Sequence, residues 1–105
     1  MVSFSNTFPT KEVVTVSSNL TLNATHKGKT LRFTAAGITV TVPAGLDVNF
    51  EVFLDNDTVS SNVTFDLSAI TTELAPSGNI LIGGGTGYLT MTTSTKVSLK
   101  GDLID

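Results

Sequence analysis

The stretch "ILIGGGTGYLTM", Ile80 to Met91, sets four glycines within five positions, and its reading decides between two kinds of fold. Phosphate-binding loops converge backbone N–H groups on an anion at the start of a helix, whose dipole adds to the attraction. The residues that follow this run are "YLTMTTST", alternating and rich in β-branched threonine, which describes a strand. The Gly-Lys-Ser/Thr ending of a P-loop is missing, and no lysine occurs between Lys29 and Lys96. A dinucleotide-binding fingerprint would need a strand, a helix and a second parallel strand, and the period here offers no helix. The run therefore reads as a glycine-rich bulge or hairpin within a sheet.

The same period of two extends in both directions along the chain. Val14, Val16, Leu20 and Leu22 share a parity across "VVTVSSNLTLN", with a bend or bulge expected at Ser17 and Ser18; "THKGKT" supplies a turn. Leu31, Phe33 and Ala35 alternate with threonine and arginine, and Ile38, Val40 and Val42 alternate with Thr39 and Thr41, so Ala36 and Gly37 predict a hairpin between these two strands. Pro43 ends the second strand, and "PAG" predicts a tight turn. Val48, Phe50, Val52 and Leu54 form the next face, with Phe53 on the opposite side, as a strand covered on both faces would require. Val63, Phe65 and Leu67 follow, then Ile80 to Ile82, Leu89 with Met91, and Val97, Leu99 and Leu103. The piece "SAITTELAPSGN" is the one place where a short helical turn fits the pattern. The fold class that results is all-β, an antiparallel β-sandwich or small barrel of about eight short strands.

Composition agrees with a single small domain. The chain has 105 residues, of which 14 % are charged, against roughly 25 % in an average soluble protein. No window approaches the roughly 18 consecutive apolar residues of a membrane-spanning helix, and the opening "MVSFSNTFPT" lacks the basic start and apolar stretch of a signal peptide. A protein made and used in the cytosol, or exported as part of something larger, is the expectation. Net charge is −3, and the six cations form no dense run; "HKGKTLR" reads as a solvated turn, so no nucleic-acid partner is expected. An outer sheet face of threonine instead of lysine and glutamate is weakly charged and suited to meeting a partner.

Residues with catalytic potential are few. No cysteine is present, so disulfides, thiolate metal sites and cysteine nucleophiles are excluded. The single histidine, His26, stands in a turn and reads as solvent-exposed, without a partner set for general base or zinc chemistry. Glu51, Asp55 and Asp57 lie close together in "EVFLDNDT", but the calcium-loop spacing is absent, and an Asx-rich turn accounts for Asp55, Asn56 and Asp57. Sugar-stacking aromatics are scarce, with Tyr88 and no tryptophan. Four Asn-x-Ser/Thr sequons, at Asn19, Asn23, Asn56 and Asn62, are expected by chance in a chain this rich in threonine. Neither enzyme activity, cofactor nor metal is expected.

Residues 1–10 stand apart from the single β domain that spans 11–105. Phe4 and Phe8 sit there among serine, asparagine and threonine without alternation, and Pro9 precedes the first clear strand. An edge strand or frayed end is one reading. An arm whose two phenylalanines dock on a neighbouring subunit is the other, and Phe4 and Phe8 are the candidate contact residues.

The order of "GKTLRF" at Gly28 to Phe33, "ITVTVP" at Ile38 to Pro43, "VNFEVF" at Val48 to Phe53, the glycine-rich turn leading to "YLTM", and "VSLKGDL" at Val97 to Leu103 resembles a small all-β module of tailed-bacteriophage virion proteins. Such modules occur in capsid decoration proteins, head fibres and tail fibres. Their last strand often carries a tryptophan where Val97 stands here. The resemblance implies an antiparallel sandwich-like fold, a structural role in the virion, and frequent trimeric assembly. Because the module fills nearly the whole of this sequence, a capsid decoration or cement protein is the favoured form. It would be made in the host cytoplasm, placed on the capsid surface and partnered with the major capsid protein. A tail-fibre module that binds a receptor or glycan is the alternative.

Overall fold

A computed structural model describes residues 12–58, 61–72 and 78–104. Among the described residues eleven short strands make two sheets, and the all-β expectation holds. The strands are β1 (Val13–Val16), β2 (Leu20–Thr21), β3 (Lys29–Phe33), β4 (Thr39–Thr41), β5 (Glu51–Asn56), β6 (Val63–Asp66), β7 (Thr71–Thr72), β8 (Ile80–Leu81), β9 (Thr86–Met91), β10 (Lys96–Gly101) and β11 (Leu103–Ile104). One sheet has the order β1-β3-β5-β9-β10-β7, the other β11-β8-β6-β4-β2.

Pairing is mixed instead of antiparallel throughout. β1, β3 and β5 run parallel in the first sheet, and β2, β4 and β6 run parallel in the second. The chain alternates between sheets, so each pair β1–β2, β3–β4 and β5–β6 is one coil of a short β-solenoid. The hairpin expected at Ala36 and Gly37 is therefore a corner: β3 and β4 lie in different sheets and do not pair. Of the bend or bulge expected at Ser17 and Ser18, the bend is present, as a corner between β1 and β2. The reason is physical. A period of two states which side chains face the interior, and it is satisfied equally by a strand folded back beside its predecessor and by one placed across the core from it. The coils also lengthen. Val13 pairs with Thr30, 17 residues on, whereas Lys29 pairs with Val52, 23 residues on, so no fixed repeat marks the sequence.

Inward-facing residues stack from coil to coil. Leu20, Val40 and Phe65 share one row, and Val16, Phe33 and Asn56 another. Phe33 meets Phe65 across the two sheets edge to face, with ring centroids 6.4 Å apart, an arrangement that favours the ring quadrupoles. Each fully buried Phe or Leu contributes about 1.5–3 kcal/mol relative to exposure, and Phe33, Phe50 and Phe65 are among the largest such side chains. Of the "SAITTELAPSGN" piece, residues 71–72 form β7, and the short helical turn expected there falls on a piece whose residues 73–77 lie outside the described residues; the one 3₁₀ turn among the described residues is Ala24–His26.

Past the third coil the chain reverses. β9 lies antiparallel on β5 and β10 antiparallel on β9, while β8 lies antiparallel on β6 and β11 on β8. These strands close the end of the stack. Gly87 faces Gly101 in the β9–β10 ladder, where a Cβ on Gly101 would overlap the Thr86 carbonyl oxygen and come within 2.5 Å of Gly87 Cα. Gly101 also has φ +131°, a conformation other residues avoid.

Candidate functional site

The glycine run is placed where β8 hands over to β9, and its backbone donors are occupied. Gly83 N–H donates to Asn62 Oδ1, Gly84 N–H to the Asn56 carbonyl, Gly85 N–H to the Ile82 carbonyl and Thr86 N–H to Asp102 Oδ2. An anion would find no converging donors there. The bulge or hairpin expected within a sheet is instead a corner, because β8 and β9 lie in different sheets and do not pair; Gly84 alone in the run has a positive φ, whereas Gly85 and Gly87 are required by close contacts, Asp102 Cβ and the Lys100 carbonyl each lying 2.9 Å from where their Cβ would stand.

Asn56 ties this turn to the third coil. Fully buried, it donates through Nδ2 to the carbonyls of Ser61, Leu81 and Ile82, and accepts at Oδ1 from Thr58 N–H and Thr58 Oγ1. The Asx turn expected at this position is present, and Asn56 is also the junction between the parallel coils and the reversed strands. Its burial leaves that sequon without an accessible amide. Asn19 and Asn62 serve similar corners, accepting from the N–H of Thr39 and Gly83 respectively.

His26 is buried, only 8 % exposed, instead of solvated as expected. Its Nδ1 accepts from Asn23 N–H at 3.0 Å while Asn23 Oδ1 accepts from Thr25 N–H, a reciprocal cap on the 3₁₀ turn. The signal was present in "NATH": an N-cap residue followed three positions later by an acceptor, with imidazole nitrogen in the role usually taken by a glutamate oxygen. Burial foremost, and then the charge of Lys29, hold the imidazole below its ordinary pKa. This is a structural histidine.

Acidic residues are not gathered into a metal site, and no group of three potential ligands occurs among the described residues. Asp57 pairs with Arg32 at 2.9 Å, and Glu51 accepts the Tyr88 hydroxyl at 2.7 Å. What the fold does assemble is an outer face. Val13, Thr30, Phe53, Tyr88 and Lys100 occupy one row across five strands of the larger sheet. Phe53 and Tyr88 meet in its centre with ring centroids 4.9 Å apart, beside Glu51 and Thr90. The hydrogen bond to Glu51, with burial and the negative charge of that carboxylate, raises the Tyr88 pKa and keeps the phenol protonated. Alternation already put Phe53 on this side of β5; its meeting with Tyr88, from a strand 35 positions later, has no local signal.

A second feature is a cleft of about 250 Å³ between the β2–β3 and β4–β5 corners. Buried Leu22, Leu46 and Phe50 line it together with exposed Lys27 and Asp47. Phe4 and Phe8, the contact residues expected from sequence, lie outside the described residues.

Comparison with protein-family models, curated proteins and solved structures gave no match. Among those described, no helix is long and apolar enough to cross a membrane.

Proposed function

We propose that this chain is a structural virion protein, a capsid decoration or cement protein that binds the outer head lattice. The observation that carries the reading is the use to which the fold puts its polar groups. Asn56, Asn19, Asn62 and His26 all hold corners of the scaffold, and no described buried side-chain N or O atom lacks a hydrogen-bond partner. Groups locked into a scaffold in this way are not available for turnover, whereas a broad, threonine-rich sheet face suits assembly. Contacts repeated over a lattice make modest individual affinities collectively strong. The partner is the major capsid protein, with the protein itself assembling as a homo-oligomer, for which a trimer is one form.

Co-sedimentation with purified heads tests this reading. Full-length protein should pellet with heads, and deletion of residues 2–9, which removes Phe4 and Phe8, should leave a folded domain that binds at least tenfold more weakly. Undiminished binding by the truncated protein would remove the arm from the interface; no binding by either would end the decoration reading. The aromatic pair Phe53–Tyr88 supports a second reading, a receptor- or glycan-binding module of a tail fibre, because a ring on a hydroxyl-rich face can stack on a sugar. Retention on a glycan array, lost in Tyr88→Ala, would favour it.

A further inference from the structure

We propose that the cleft between the β2–β3 and β4–β5 corners binds a free α-amino acid with an apolar side chain, its charged head group held at the mouth between Lys27 and Asp47. The floor is apolar: Leu22 comes from one corner, Leu46 and Phe50 from the other. An apolar cavity of about 150 Å³ accepts benzene, and this cleft offers about 250 Å³. That space takes a side chain of benzene's size together with its head group, and it falls below the roughly 300–1,000 Å³ of pockets built for larger ligands.

Both walls are fixed by hydrogen bonds of the scaffold. On one side Leu22 N–H donates to the Thr41 carbonyl, and the cap between Asn23 and His26 closes the turn that delivers Lys27. On the other, Gly45 N–H donates to the Ser94 carbonyl and Asn49 N–H to the Met91 carbonyl, which ties the β4–β5 corner to β9 and the turn after it. Preformed walls spare a small ligand the cost of ordering them. Charge then decides the kind of ligand. Lys29 pairs with Glu12 and Arg32 with Asp57, whereas the side chains of Lys27 and Asp47, both exposed and one on each wall, have no ion-pair or hydrogen-bond partner among the described residues. One unpaired cation and one unpaired anion flanking an apolar slot complement a zwitterion, whose carboxylate goes to Lys27 and whose ammonium goes to Asp47. A hydrocarbon would leave both charges unused, and a ligand of single charge would meet its like on one wall.

The test is titration of the full chain with L-phenylalanine, followed by nuclear magnetic resonance. Saturable shifts should centre on Leu22, Ala24, Leu46 and Asp47. Phenylalanine amide, which lacks the carboxylate, and N-acetylphenylalanine, which lacks the ammonium, should each bind about tenfold more weakly, as the loss of one charged hydrogen bond requires; glycine, which lacks the apolar body, should give no saturable shift. Lys27→Met should weaken phenylalanine by the same factor and remove its advantage over the amide, and Asp47→Asn should remove its advantage over the N-acetyl derivative. Both side chains are exposed, so signals away from the cleft should stay in place in either variant. Absence of saturable shifts with phenylalanine, equal binding of the amide or the N-acetyl derivative, binding of glycine at the same strength, or unchanged affinity in both variants would each overturn the assignment. Heads play no part in this experiment, so the amino-acid site and the virion reading stand or fall separately.

Discussion

The three parallel coils and the reversed strands that close them are stabilised in different ways. In the coils, side chains of the same kind stack in rows, and Phe33 against Phe65 joins the two sheets. A row of that sort tolerates change, because a neighbouring apolar group of similar volume can take part of the space. In the closing strands the decisive positions have no side chain at all: Gly87 and Gly101 let β9 and β10 approach, and buried Asn56 bonds to the carbonyls that precede the glycine run. Packing there is set by contact distances and hydrogen bonds, which are all-or-none.

The largest effect should come from Gly101→Val, which combines a forbidden φ with overlap against Thr86 and Gly87. A loss of about 4 kcal/mol is expected from strain and overpacking together, measurable as a collapse of the urea midpoint. If the variant melts within a degree of the parent, the glycine pair is not what holds the closing strands. Next, Phe33→Ala should remove about 3–4 kcal/mol by opening a cavity in the coils. Hydrogen exchange sharpens the contrast: Phe33→Ala should weaken protection across both sheets, and uniform protection loss confined to β8–β11 would contradict the assignment of Phe33 to the common core.

Asn56→Ala tests the junction itself. It leaves the Ser61, Leu81 and Ile82 carbonyls without their donor, at about 2–3 kcal/mol. Amides of β8 to β11 should exchange faster while those of β3 and β4 change least; the opposite ranking would show that Asn56 serves the coils alone. The smallest effect concerns His26. Its pKa is lowered on folding, so its contribution is complete above the ordinary value of 6.5 and declines as pH falls through the lowered folded value. Protonated Nδ1 can no longer accept from Asn23 N–H. The parent should therefore lose more melting temperature between pH 7 and pH 5 than His26→Leu does, and equal losses would dismiss the cap as the cause.

The fold class and the interior were readable from residue types alone. The parities of Leu31 and Phe33, of Val40 and Val42, and of Leu89 and Met91 all point inward as their alternation required. Which strand lies beside which was not readable, because alternation is blind to pairing and the unequal coil lengths erase a repeat. The turns show the same division. Glycine at positions 83–87 announced a change of direction, yet the need for Gly85 and Gly87 arises from Asp102 and Lys100, residues remote in sequence. His26 was misjudged because a lone turn histidine carries no sign of its burial until the capping pattern with Asn23 is recognised. Tyr88 was legible only as a single tyrosine; its place against Phe53 and Glu51 depends on the reversal of β9.

That reversal has a consequence for growth. A parallel stack presents at its end the same hydrogen-bonding pattern with which it began, so in principle another coil can always be added, from the same chain or from a neighbour. β9 is laid antiparallel on β5, β10 antiparallel on β9 and β7 parallel on β10, so the outermost strand of the larger sheet regains the original polarity but offers a further coil an edge of two residues, Thr71–Thr72. The outermost strands beyond the reversal, β7 and β11, have two residues each, and so short an edge is a poor template for pairing with another coil, from the same chain or a neighbour.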